Sequence, residues 1–85
     1  MTDERGRTVG ETGAPDEAWD AGGMGCGELV FELMLRLRAM HPGAVLRLTA
    51  TDLGARHDIP AWCRMTGNPL LRAEHPLYLI QRKES

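Results

Sequence analysis

Apolar residues recur along this chain with two different periods, and each change of period marks a new element. Val30, Leu33, Met34 and Leu37 fall at i, i+3, i+4 and i+7, which is one face of an α-helix. The spacing predicts a helix over 28–40. Glu28 lies in its first turn, where a negative charge suits the positive end of the helix dipole, and His41-Pro42-Gly43 is its stop. Glu32 and Arg36 stand four apart on the polar side and are placed to pair. Phe31 and Leu35 form a second i, i+4 pair off that stripe. They make either an exposed apolar patch of the kind that marks docking surfaces or the flank of a helix buried over a wide arc.

From residue 45 the period becomes two. Leu46, Leu48 and Ala50 alternate with Val45, Arg47 and Thr49, so 45–51 reads as a strand with one face on a core. Residues 52–57 read as a loop. Asp58 followed by Ile59-Pro60 reads as a helix start, with aspartate as the N-cap and proline in the first turn. Ala61, Trp62, Cys63 and Met65 supply the apolar content of this second helix, and Gly67-Asn68-Pro69 ends it. Two apolar runs, 70–74 and 77–81, are joined through His75-Pro76 as a hairpin. Residues 17–21, carrying Ala18 and Trp19, form a short first strand, and Gly22-Gly23-Met24-Gly25 is a turn.

The resulting order is β-α-β-α-β-β. Helices that alternate with strands imply parallel pairing, and the closing hairpin adds antiparallel strands. The simplest closure is an α+β, two-layer α/β sandwich: a four-stranded mixed sheet with both helices on one face. Residues 1–16 are polar and aperiodic and read as a disordered N-terminal tail, leaving 17–85 as a single domain. With 5% aromatic residues the core must be aliphatic. A net charge of −2 argues against an electrostatic nucleic-acid binder. No apolar run is long enough for a membrane span, and the N-terminus lacks the apolar stretch of a secretory signal. Two distant cysteines without such a signal fit a reducing, cytoplasmic setting with free thiols.

Three chemistries compete for the remaining residues. Cys26, Cys63, His41, His57 and His75 are possible zinc ligands, but none are spaced as C-x-x-C or H-x-x-x-H, so no metal site is assigned. Gly23-x-Gly25-x-Gly27 departs from the dinucleotide fingerprint, because Val30 stands where the third glycine belongs. The third is thiol chemistry. Cys26 falls at or just before a helix N-cap, where unpaired backbone N–H groups favour the thiolate, the reactive form of cysteine. Gly25, Gly27 and Glu28 would be its supporting loop and helix start, and Arg56 and His57 its electrostatic support. Alternatively, Cys26 is a small buried hydrophobe at a helix start. Cys63, beside Trp62, reads as a buried helix residue.

Several stretches together resemble the TusA/SirA family of small sulfur-carrier proteins. They are Asp20-Ala21, Cys26-x-Glu28-x-Val30, Met40-x-Pro42-Gly43 and Asp58-Ile59-Pro60-Ala61-Trp62-Cys63. The resemblance covers 19–82. It implies the same β-α-β-α-β-β sandwich and one active cysteine, Cys26, that carries a persulfide sulfur between proteins. No cofactor is implied. The partners would be a sulfur donor and an acceptor, such as a cysteine desulfurase, a rhodanese-like protein or another carrier, and the chain is expected to be a monomer. One motif differs: the family's Cys-Pro-x-Pro reads Cys26-Gly27-Glu28-Leu29 here. The alternative to a sulfur carrier is a non-catalytic interaction or regulatory module on the same fold, using the Phe31/Leu35 patch.

Overall fold

Six elements follow one another in the expected order. The computed structural model describes residues 15–84. Its elements are β1 (Glu17–Gly22), α1 (Cys26–Arg38), β2 (Val45–Ala50), α2 (Ala55–Thr66), β3 (Leu70–Glu74) and β4 (Leu77–Gln81). The tail expected over 1–16 lies outside the described residues as far as residue 14. Asp16 is described and is already tied to the fold: its N–H donates to the Val45 carbonyl, and its Oδ2 accepts from the Val45 N–H, both at 2.8 Å.

The strands form one mixed sheet in the order β1-β2-β4-β3. β1 runs parallel to β2, while β4 is antiparallel to both β2 and β3. Trp19 pairs with Leu48, Leu48 with Tyr78 and Leu46 with Ile80, so one face of three strands is apolar. Both helices cover that face. Leu29, Leu33, Leu37 and Met40 from the first, and Ala55, Ile59, Trp62 and Cys63 from the second, share one core with Leu46, Leu48, Ala50, Tyr78 and Ile80. The opposite face carries Arg47 and the other outward residues of the strands. That is the alternation of strands covered on one face only.

α1 differs from the expectation in phase and start. Leu33 and Leu37 of the predicted stripe are fully buried; Leu29 joins them, and Val30 and Met34 are half-buried beside them. Apolar side chains occupy so much of this helix that two adjacent stripes are available, and the sheet takes the one led by Leu29. The helix begins at Cys26 and ends at Arg38, two residues earlier at each end than the predicted 28–40. The Glu32–Arg36 pair forms at 3.5 Å, with the Arg36 guanidinium 4.4 Å from the centre of the Trp19 ring. Phe31 and Leu35 are 59% and 45% exposed, so the wide-arc burial does not occur.

α2 needs a larger correction. Asp58 is not its N-cap. The helix starts at Ala55, with Gly54 as the cap, so Asp58 lies inside the helix and Pro60 in its second turn. The cause is Asp52, whose Oδ2 accepts from the Gly54 N–H at 3.0 Å and turns the chain early. Bonds from Ala55 to Asp52, Arg56 to Leu53 and His57 to Gly54 then close the first turn. Arg56 and His57, expected in a loop, are therefore helical. Ala55 and Ile59 join Trp62 and Cys63 in the core, whereas Met65, expected as an apolar contributor, is 79% exposed. Gly67 ends the helix in the left-handed conformation at φ 83°, as the Gly-Asn-Pro signal requires.

Candidate functional site

Parallel pairing of β1 and β2 decides where the chemistry sits. Each of these strands leads at its C-terminal end into a helix, so α1 and α2 both begin at the same edge of the sheet. The two connections are joined there: the Thr51 N–H donates to the Gly22 carbonyl at 2.9 Å. The His75-Pro76 turn meets the same edge through the Pro76 carbonyl, which accepts from the Ala50 N–H at 2.9 Å.

Gly22-Gly23-Met24-Gly25 carries the chain from β1 into α1. Gly22 takes φ 58°, a left-handed conformation that side chains resist, and its N–H donates to Asp20 Oδ1 at 2.9 Å. The Met24 N–H donates to the Ala21 carbonyl at 3.2 Å, tightening the turn. Gly25 is the N-cap, extended at φ −70° and ψ 159°, and its carbonyl receives the first helical bond from the Leu29 N–H at 2.8 Å. Cys26 is thus the first helical residue, one position further in than a cap.

This start has no side-chain cap. The N–H groups of the first three helical positions, Cys26, Gly27 and Glu28, have no partner inside the helix. They form the positive end of a 13-residue dipole. The start of a helix of this kind favours an anion placed beside it. Gly27 and Glu28 are exposed.

Of the residues expected at the site, Gly25, Cys26, Gly27 and Glu28 are consecutive at the start of α1. Arg56 and His57 lie exposed in the first turn of α2, at the same sheet edge. Between the helices, Gly27, Val30, Asp58, Ala61, Trp62 and Met65 line a shallow groove of about 270 Å³ that opens beside the first turn of α1. Asp52 was read only as a loop residue; its bond to Gly54 sets the start of α2, and an aspartate two residues before a glycine was the available signal.

Cys63 presents the opposite case. It is a free thiol, 4% exposed on the core side of α2. Burial pushes its pKa up to about 11, so it stays protonated at neutral pH. The structure bears out its reading as a buried helix residue.

No group of three His, Cys, Asp or Glu among the described residues is arranged to hold a metal ion. No helix among them is long and apolar enough to cross a membrane.

Comparison with known proteins agrees with this architecture. Residues 17–80 match the family model described as Sulfurtransferase TusA. The chain is 37% identical over 73 residues to the sulfur carrier protein TusA of Pseudomonas putida (strain GB-1), covering 81% of this chain and 91% of that protein. It is 36% identical over 76 residues to the sulfur carrier protein TusA of Pseudomonas aeruginosa (strain LESB58), covering 85% and 96%. With the matched span running from the first residue of β1 almost to the end of β4, the chain belongs to the TusA sulfurtransferase family.

Proposed function

We propose that this protein is a cytoplasmic sulfur carrier that holds a persulfide on Cys26 and passes its outer sulfur between partner proteins. The observation that supports this most is the position of Cys26, the first residue of an uncapped helix, within the span that matches the family. The relatives named above are themselves called sulfur carrier proteins.

The chemistry needs no cofactor. The Cys26 thiolate attacks the outer sulfur of a donor persulfide. A bond forms between Cys26 Sγ and that sulfur, the donor's S–S bond breaks, and the donor cysteine leaves as a thiolate. Delivery is the same step in reverse: an acceptor thiolate takes the outer sulfur and Cys26 departs as a thiolate. The transferred sulfur keeps its oxidation state, so no net oxidant or reductant is consumed. Helix N–H groups favour the anion at both ends of the cycle, as leaving group and as nucleophile. Arg56 adds positive charge at the same edge, with His57 next to it. Donors and acceptors of the right chemistry are proteins with a cysteine persulfide or a reactive thiol: a cysteine desulfurase, a rhodanese-like protein or another carrier.

Intact-mass measurement after incubation with a cysteine desulfurase and free cysteine tests this reading. A gain of one sulfur, released by a reductant and mapped to Cys26, is the expected result. A protein that stays unmodified, or gains sulfur only on Cys63, would overturn it.

A further inference from the structure

α1 and α2 run the same way across the sheet, so their C-terminal ends also share an edge, the one opposite the thiol. Arg38, in the last turn of α1, stands about 18 Å along the helix from Cys26. β4 ends at that edge too, and Arg82 and Lys83 follow it. A cleft of about 290 Å³ lies here, lined by all three cations. No acidic side chain lines it among the described residues. Glu84 is next in sequence, but its Oε2 lies against Gly43, 2.9 Å from where a Cβ there would stand. Three of the chain's ten Lys and Arg thus converge on one cleft, although the net charge of the chain is −2.

Part of this charge serves the fold. Arg82 Nη1 donates to the Met40 carbonyl at 2.9 Å and Lys83 Nζ to the Thr66 carbonyl at 3.0 Å, where each meets the negative end of a helix. Those bonds use one of five N–H donors on Arg82 and one of three on Lys83. Arg38 has no ion-pair or hydrogen-bond partner among the described residues. Asn68, the one buried polar residue among those described, also lines the cleft. Its Oδ1 accepts from the Lys83 N–H and its Nδ2 donates to Thr66 Oγ1, both at 2.9 Å, which holds the amide in place. The floor is apolar: Leu37 and Trp62 are buried and Met34 is half-buried.

We infer that this cleft is a binding site for a small organic anion, with an apolar or aromatic body on Trp62 and Leu37 and a carboxylate or phosphate head on Arg38, Arg82 and Lys83. The paired N–H donors of a guanidinium match either head group. Three like charges brought together repel one another, and a bound anion relieves that repulsion. The volume is close to the lower end, about 300 Å³, of small-molecule sites, so the body is no larger than a ring or two. The inference stands apart from the carrier reading, because the cleft and Cys26 lie at opposite ends of α1.

The test titrates the full ¹⁵N-labelled chain with phenyl phosphate, phenylacetate, inorganic phosphate and benzyl alcohol. NMR follows the Trp62 indole N–H and the Asn68 side-chain amide. The same titrations are run on an Arg38→Gln, Lys83→Gln double variant whose folding is checked by circular dichroism. If that variant unfolds, Arg38→Gln alone, at an exposed position, carries the comparison. Saturable shifts at both reporters are expected with at least one aromatic anion, and the tighter of the two names the head group. Kd should be weaker by about tenfold or more for inorganic phosphate, for benzyl alcohol and for the variant. The inference is overturned if neither aromatic anion gives saturable shifts, or if the variant binds as tightly as the wild type. Inorganic phosphate binding equally well would remove the floor from the site, and benzyl alcohol binding equally well would remove the cations; either result overturns it. Shifts confined to the amides of Gly27 and Glu28 would place the anion at the start of α1 and overturn it as well.

Discussion

α1 and α2 begin at the same edge of the same sheet, yet they are built in contrasting ways. α2 is braced from its first residue. Asp52 Oδ2 holds the Gly54 N–H, and Ala55 and Ile59 are already in the core. Both helices begin on a glycine cap without a side-chain acceptor, Gly25 and Gly54, but α1 continues through Cys26 to two exposed residues, Gly27 and Glu28, before the buried Leu29. One start is shaped by packing. The other places exposed Gly25, Gly27 and Glu28 around its first residue. A braced start and an exposed start thus stand on the one edge where the parallel β1–β2 pair sets both helix ends.

This contrast can be broken most sharply at Cys26. Cys26→Ser should abolish sulfur loading, read as the absence of any mass gain, while the melting temperature stays close to that of the wild type. A large drop in melting temperature would mean that the start of α1 is structural after all. At the braced helix the effects should be reversed. Ile59→Ala removes a fully buried side chain and should cost about 2–5 kcal/mol, measured by urea unfolding, with loading of the residual folded protein intact.

Cys63 provides a pH-dependent check on the same helix. The core accepts its neutral thiol, so this contribution to stability is complete below pH 9.0, the ordinary value, and is lost as the pH rises to about 11. Unfolding free energy should decline by about 2 kcal/mol across that window, and Cys63→Ala should flatten the decline. At lower pH, Asp52→Ala should cost about 1 kcal/mol, chiefly for the lost bond to the Gly54 N–H. The smallest effect is expected at the open helix start. Gly27→Ala should raise stability by about 0.5–1 kcal/mol, measured as a shift in the urea midpoint. A loss instead would show that the bare position serves the fold.

How far these features could be read in advance differs between elements, for physical reasons. β3 and β4 coincide with the predicted 70–74 and 77–81 because Asn68-Pro69 and His75-Pro76 punctuate β3 on both sides and open β4. β2 follows from strict alternation. The phase of α1 was legible at Leu33 and Leu37 but not between Leu29 and Val30, because residues 29–31, 33–35 and 37 are all apolar and only the sheet chooses among the stripes. The start of α2 was obscured by rival aspartates: Asp58 with Pro60 looks like a cap locally, but Asp52 turns the chain first. The helix start that carries Cys26 was legible to within two residues from the glycine-rich turn and the apolar period that follows. The position of Arg56 and His57 at the same edge depends on the parallel register, a long-range property that no local pattern encodes.

The Gly27 position also changes what a proline there would do. Cys26 is helical, and a residue that precedes proline is pushed towards extended backbone. The family's proline would therefore move the cysteine out of the helix and into the cap, shifting the helix start by one residue. With glycine in its place, Cys26 is free to enter the first turn.

Finally, the burial of Cys63 bears on how cargo is retained. A carrier with two reactive thiols could short-circuit: the second thiolate would attack the loaded cysteine, close a disulfide and expel the sulfur as hydrosulfide. With a pKa of about 11, Cys63 is thiolate in only about one molecule in ten thousand at pH 7. The small fraction that ionises is still enclosed by the core. That leak is therefore slow, and a loaded molecule can diffuse between partners for longer than an exposed second thiol would allow.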